Sequence, residues 1–380
     1  MRHAAPRSKI AESLTLLAFL VAVGEADDAS ARGKRLECAP EGLPMALGAQ
    51  GSVEVMQAVE YLGGTRIVTA DKALNPRKLR LVSLSGESTS LATPPWTVKP
   101  SRWLSRGRVV YAVGTGRSLT EGQTDVVLVR WGSDSRPRLT KVRTASAVGS
   151  DPRAALVDER MAVLWTEPAS DQKAHVKVSF IDLEEVSVGE PQDLGLHADG
   201  GLVEMSAVDK GFVALWSSPE GLMRRSFDAH GKSSGAASAQ PWKSTRGLRG
   251  AIACGERVWL LQDSGADKVT VSASNTGGEF APVGQLDASA IDASLSMLCM
   301  DDGIMVAHRT VSPKQGNVVF WISSVEATGK VRGRRVKDVQ GTPDDIRLPQ
   351  LVATSEGRTA LWVEGTGEAA TVWSRAIACN

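Results

Sequence analysis

The chain has 380 residues, with 44 Lys and Arg against 43 Asp and Glu and a formal net charge of +1. That balance excludes a dedicated nucleic-acid binder, whose electrostatic footprint is strongly basic. With 42% hydrophobic and 23% charged residues the composition is that of a globular chain, which excludes a largely disordered one.

Residues 1–26 read as a secretory signal. Arg2, Arg7 and Lys9 form a basic start, residues 14–23 (LTLLAFLVAV) form an apolar run, and Gly24 and Ala26 are small residues suited to peptidase cleavage. The run is too short to cross a bilayer comfortably. No later stretch is apolar enough to do so, so no transmembrane segment is expected after cleavage. Residues 27–35 (DDASARGKR) are small and charged and read as a flexible leader. Residues 36–380 are expected to form one folded domain.

From there a pattern recurs seven times: a short strand, a Gly- or Asp-containing turn, and an apolar strand ending in a large residue. The second strands are RIVT (66–69), RVVY (108–111), AVLW (162–165), VALW (213–216), VWLL (258–261), MVAH (305–308) and TALW (359–362). Their last residues, Thr69, Tyr111, Trp165, Trp216, Leu261, His308 and Trp362, follow one another at intervals of 42 to 54 residues. Third strands rich in Val, Ile, Phe and Trp follow, as in DVVLVRWGS and NVVFWISSV, and weaker fourth strands follow most of those. Four short strands about every 50 residues predict an all-β, seven-bladed β-propeller of four-stranded antiparallel blades. One such sheet cannot bury both faces alone. Radial stacking buries each face against a neighbour, and the large residue ending strand two should fill the layer between blades.

The seventh unit runs out after its third strand, at Asn380. Residues 36–50 have no other assignment and are expected to supply its outer strand, closing the ring and removing an exposed edge. The four cysteines fit that closure. An even count in an exported chain implies disulfides. Cys379 ends the third strand of the last unit and Cys38 begins the proposed outer strand, so the two should be bonded. Cys254 and Cys299 end the first strands of adjacent units, which lie side by side, and form the second expected pair.

Catalytic, cofactor and metal signatures are not evident. Phosphate-loop, Gly-x-Ser-x-Gly, His-Glu-x-x-His and Cys-x-x-Cys patterns are missing, and Gly114-Thr115-Gly116 reads as a loop after a strand. His175, His197, His230 and His308 fall in different units at non-equivalent places, and His308 reads as a packed histidine in the large-residue column. The basic run Lys330, Arg332, Arg334, Arg335 and Lys337 reads as a charged, protected sheet edge with the capacity to meet a polyanion. Asp301-Asp302 and Asp344-Asp345 are turn pairs, too few oxygens for calcium.

TALWVEG (359–365) followed by ATVWSRA (370–376) resembles the propeller repeats of secreted and cell-envelope bacterial proteins, with the form (A/V)LWxE. The turn from Ala273 to Phe280, with Asn275, Gly277 and Gly278, resembles a degenerate Asp-box of sialidase-like propellers. The resemblance implies a fold rather than an activity. Sialidases use a tyrosine nucleophile late in the chain; the tyrosines here are Tyr61 and Tyr111 alone. The expectation is therefore a secreted or cell-envelope, monomeric, non-catalytic binding or scaffold propeller for a protein or glycan partner, needing no cofactor. The alternative is a carbohydrate-active enzyme, a sialidase-like hydrolase or polysaccharide lyase, on the same scaffold.

Overall fold

Every strand-forming expectation rests on hairpins, and the hairpins are there. Leu62 and Gly63 both take positive φ, 56° and 76°, the pairing that lets a two-residue turn follow the twist of its flanking strands. The computed structural model describes residues 38–47, 53–71, 79–93, 98–117, 122–145, 147–149, 151–169, 173–235, 237–239, 247–265, 267–274, 279–288, 297–311, 317–340, 346–354, 357–365 and 371–379. The expected signal (1–26) and leader (27–35) lie outside the described residues, as do Asp344-Asp345 and the centre of the Asp-box-like turn (275–278).

The described residues form seven antiparallel sheets and no helix. Blade one comprises Val53–Tyr61, Gly64–Asp71, Leu79–Ser83 and Ser88–Leu91; blade two comprises Val98–Arg106, Val109–Arg117, Thr124–Trp131 and Pro137–Ala145. Blade three comprises Arg153–Val157, Arg160–Pro168 and Ala174–Asp182, with an outer strand broken into Ser187–Val188 and Gln192–Leu196. Pro191 stands in the break, where it has no N–H to give a ladder. Blade four comprises Val203–Val208, Gly211–Ser218, Gly221–Asp228 and the two-residue Ser238–Ala239. Blade five comprises Leu248–Cys254, Arg257–Gly265, Lys268–Ser274 and Phe280–Asp287; blade six comprises Met297–Met300, Gly303–Val311, Asn317–Glu326 and Val331–Gln340. Blade seven comprises Ile346–Thr354, Gly357–Glu364 and Thr371–Cys379, and its outer strand is Cys38–Ala46.

Ring closure is visible in the packing as well as in the pairing. Seven apolar clusters each join two blades, and together they join every neighbouring pair once. Ile67 of blade one packs with Leu361, Val363 and Val372 of blade seven, so the last blade meets the first. Trp103 of blade two meets Leu79 and Leu81 of blade one and stacks on its own Trp131 at 5.3 Å. Phe180 of blade three lies against Phe212 and Phe227 of blade four. The sheets have no other way to hide both faces, and burial of aromatic side chains of this size dominates the favourable side of the folding free energy.

In the last blade Cys38 pairs opposite Cys379, Ala39 opposite Ala378 and Glu41 opposite Ala376, and after a bulge Met45 meets Ser374. Cys38 and Cys379 are bonded, and so are Cys254 and Cys299, whose Cα atoms are 5.5 Å apart.

Two local expectations are corrected. Thr69, Trp165, Trp216, His308 and Trp362 are each the sixth residue of their strand, but Tyr111 is the third and Leu261 the fifth. Those two therefore face the following blade, Tyr111 against Met161 and Trp165, Leu261 against Ile304 and Val306. Counted from the hairpin, the equivalent sixth residues are Gly114 and Gln262. Correspondingly, Gly114-Thr115-Gly116 is not a loop; it lies inside Val109–Arg117. A Cβ on Gly114 would stand 2.2 Å from the Lys99 carbonyl oxygen, so the glycine marks a close approach of strand one.

Candidate functional site

The first strands of all seven blades line a common central channel of ≈ 440 Å³. Most of the lining is apolar or small, but one level of it is polar. Gln57, Arg102, Arg153, Glu204, Gly250 and Gln350 each lie seven residues before the first residue of the next strand. Each also pairs with that strand's fifth residue: Val68, Val113, Leu164, Leu215, Leu261 and Leu361. They therefore share one level of the ring, one per blade, and Gln57, Arg102, Glu204 and Gln350 line the channel itself. In blade six the spacing falls on Ser296, outside the described residues. In blades one, two, five and seven the register of strand one shifts immediately before this level. Bulges of this kind bend a strand and re-aim its side chains.

The order around the ring is Gln, Arg, Arg, Glu, Gly, then Gln in blade seven. Gln57 Oε1 accepts the backbone N–H of Trp103 at 3.0 Å, tying blade one to blade two. Arg153 Nε stands 3.7 Å from Glu204 Oε2, an ion pair too long for a hydrogen bond. Glu204 is 4% exposed and Gln350 2%. Arg102 Nε, Arg153 Nε, Glu204 Oε2 and both polar atoms of the Gln350 amide are buried without a hydrogen-bond partner. Burial pushes the Arg102 guanidinium below its usual value; Glu204 opposes that shift and Arg153 adds to it. A buried polar group without a partner costs about 1–3 kcal/mol, more when charged. Several of them at one level are a concentrated unmet demand for hydrogen bonds.

Further along the first strands the blades are cross-linked. Ser206 Oγ accepts the Ala253 N–H at 3.1 Å across blades four and five, and the Cys254–Cys299 bond ties blade five to blade six. Glu60 also lines the channel.

The other singled-out residues do not converge. His308 is 3% exposed with Nε2 2.9 Å from Ser323 Oγ, and burial pushes it down to about 4, with Asp287 opposing. His175 lies on blade three with Nδ1 3.0 Å from Asp193, His197 Nε2 is 3.3 Å from the Gly201 carbonyl, and His230 is in a turn. Tyr111 is buried between blades. Among the described residues no cluster of His, Cys, Asp or Glu is arranged to hold a metal. Of the basic run, Arg332, Arg334, Arg335 and Lys337 lie on the outer strand of blade six and Lys330 just precedes it. Arg335 stacks over Trp321 and pairs with Asp338 at 2.7 Å, Lys337 sits over Trp373, and Arg332 lies 3.7 Å from Glu326.

The channel column escaped the sequence reading, although its spacing is regular. Anchoring the repeat on the large residue of strand two misaligned blades two and five. The chemically mixed column seven residues upstream of each second strand then lost its periodicity.

No family model matches the chain, and no curated protein matches it. Many solved structures share its fold. A prolyl endopeptidase aligns with TM-score 0.51 and 12% identity over 87% of this chain. This chain spans 50% of that enzyme's length. The CNH domain of AfRom2 aligns with TM-score 0.50 and 9% identity, over 87% of this chain and 98% of that one. The subtype N10 neuraminidase-like protein of A/little yellow-shouldered bat/Guatemala aligns with TM-score 0.44 and 10% identity, over 90% and 100%. At these identities the likeness carries the propeller and nothing of activity.

Proposed function

We propose that this chain is an exported, non-catalytic binding propeller whose protein or glycan ligand engages the mouth of the central channel. The observation that carries the reading is the polar level of the channel, where buried hydrogen-bonding groups from several blades lack partners within the chain. Propellers gather residues from separate blades at one axis, which suits binding on a rigid scaffold. Two disulfides support export to an oxidising compartment. No described helix is long and apolar enough to cross a membrane.

The channel lining supports binding over sialidase-type hydrolysis, because among its described residues no tyrosine is present to act as nucleophile. A carbohydrate-active alternative draws on Glu60 and Glu204, two carboxylates lining the same channel. The test is a glycan array with the full chain, run beside product analysis of every bound glycan. Saturable binding with unchanged glycans is the expected outcome. Cleavage or elimination products lost in Glu204→Gln would replace this reading with the enzymatic one.

A further inference from the structure

We infer that the polar level of the channel is a binding site for a hydroxy-carboxylate, such as a sugar acid, held by Arg102, Gln350 and Glu204, with Arg153 paired to Glu204 behind them. The inference deepens the binding reading above and rests on it only for the absence of turnover.

Charge comes first. Arg102 and Arg153 stand on consecutive blades beside Glu204, so these three side chains carry one net positive charge. Glu204 lies near Arg153. Glu204 attracts Arg102 as well, so the two guanidiniums share one carboxylate and one positive charge is left over; burial is the first cause of the depressed Arg102 pKa. A buried charge needs a partner and further hydrogen bonds before its desolvation is recovered. A monoanion neutralises the set. A phosphate dianion would leave an excess negative charge at the same depth.

Donor geometry comes second. The free Nε of Arg102 is a donor, and guanidinium edges match carboxylate oxygens. The Gln350 amide supplies one further donor and one acceptor, both unused and 2% exposed. Glu204 Oε2 is an unused acceptor. It cannot face a carboxylate, so the ligand must bring a hydroxyl beside its acid group. Gly250, at the same level, contributes no side chain. The ≈ 440 Å³ channel is within the range of small-molecule sites.

The experiment uses the full chain with both disulfides intact. Calorimetry and thermal melting are run at about pH 8.5, where inorganic phosphate is the dianion, with D-glucuronate, D-glucose, sodium phosphate and sodium chloride at matched ionic strength. D-glucuronate is expected to bind saturably and raise Tm. Glucose and chloride should do neither, and phosphate should bind at least about tenfold more weakly, the loss expected when the charge match is wrong. Arg102→Gln should lose at least about tenfold in glucuronate affinity while the unliganded protein melts no lower than the parent, because an uncompensated buried charge has gone. If Arg102→Gln fails to fold, Gln350→Leu serves instead, with weakened glucuronate binding and an unchanged unliganded melt expected. Equal binding of phosphate, or glucuronate binding unaffected in both variants, would overturn the site. Absence of glucuronate binding in a chain that still captures array glycans would overturn this site and leave the wider binding reading standing. Arg102-dependent conversion of the probe would support the site and overturn the non-catalytic reading.

Discussion

At the residue scale, the (A/V)LWxE form of the repeat has a chemical cause. Trp165 Nε1 donates to Glu167 Oε2 at 3.0 Å, and Trp362 Nε1 donates to Glu364 Oε1 at 2.8 Å. The glutamate two positions on lies on the same face of the strand and caps the only polar atom of a buried indole. Blade four has Ser218 in that place, and Trp216 Nε1 is left without a partner. Glu167→Leu should therefore cost about 1–3 kcal/mol, the penalty of an orphaned buried donor, read as a lowered urea midpoint at constant slope. The same change at exposed Glu190 should cost almost nothing. His308 gives a second prediction. Its folded pKa of about 4 lies below the unfolded value near 6.5. The unfolded chain thus binds the extra proton first as pH falls. The stability linked to this group is complete above about 6.5 and is lost progressively down to about 4, an effect of about 3 kcal/mol. Asp182 and Asp193, whose carboxylates are held below their usual values, lose their contributions only at lower pH. His308→Gln should flatten the stability profile between pH 6.5 and 4 relative to the parent, and an unchanged slope would refute the assignment.

At the element scale, the hairpin joining strands one and two is the unit that organises each blade. Val59 and Trp103 pack toward one pair of blades from first strands, while Ala112 and Val129 complete the layer from the second and third. These hairpins were legible because turn residues and apolar runs sit close together in sequence. The outer strands were less so: blade four keeps two residues of its own and blade three breaks its strand at Gly189–Pro191. An outer strand packs on one side only, so little hydrophobic pattern marks it. The slip at Tyr111 and Leu261 has the same kind of cause. Both are large and buried, and burial alone does not tell which face of a strand a residue is on. Polar residues in strand one carry no shared residue type to mark them, and only the register puts them at one level. Gly114 tests the register directly. Gly114→Ala places a methyl against the Lys99 carbonyl and the Pro100 backbone. It should lower stability by about 1–3 kcal/mol through forced overpacking, measured by chemical denaturation, whereas Gly116→Ala, whose added carbon would make ordinary contacts with Val127, should cost less.

At the scale of the whole molecule, seven interfaces depend on one another, and the last is closed by chain from both ends. The two disulfides enclose very different loops, with sequence separations of 341 and 45. In the chain-entropy model the longer loop contributes about 2 kcal/mol more. Replacing Cys38 and Cys379 by Ser should therefore lower the thermal midpoint more than replacing Cys254 and Cys299. An equal or reversed order would show that the ring is held shut by its strand pairing alone. The position of the first bond also decides how the protein answers to pulling. Tension applied to the two ends of the wheel runs straight through Cys38 and Cys379, across one covalent link. The hundreds of residues between them hang as a slack loop outside the path of the load, so this molecule should resist stretching as a rivet does, and reduction should turn it into a long extensible tether.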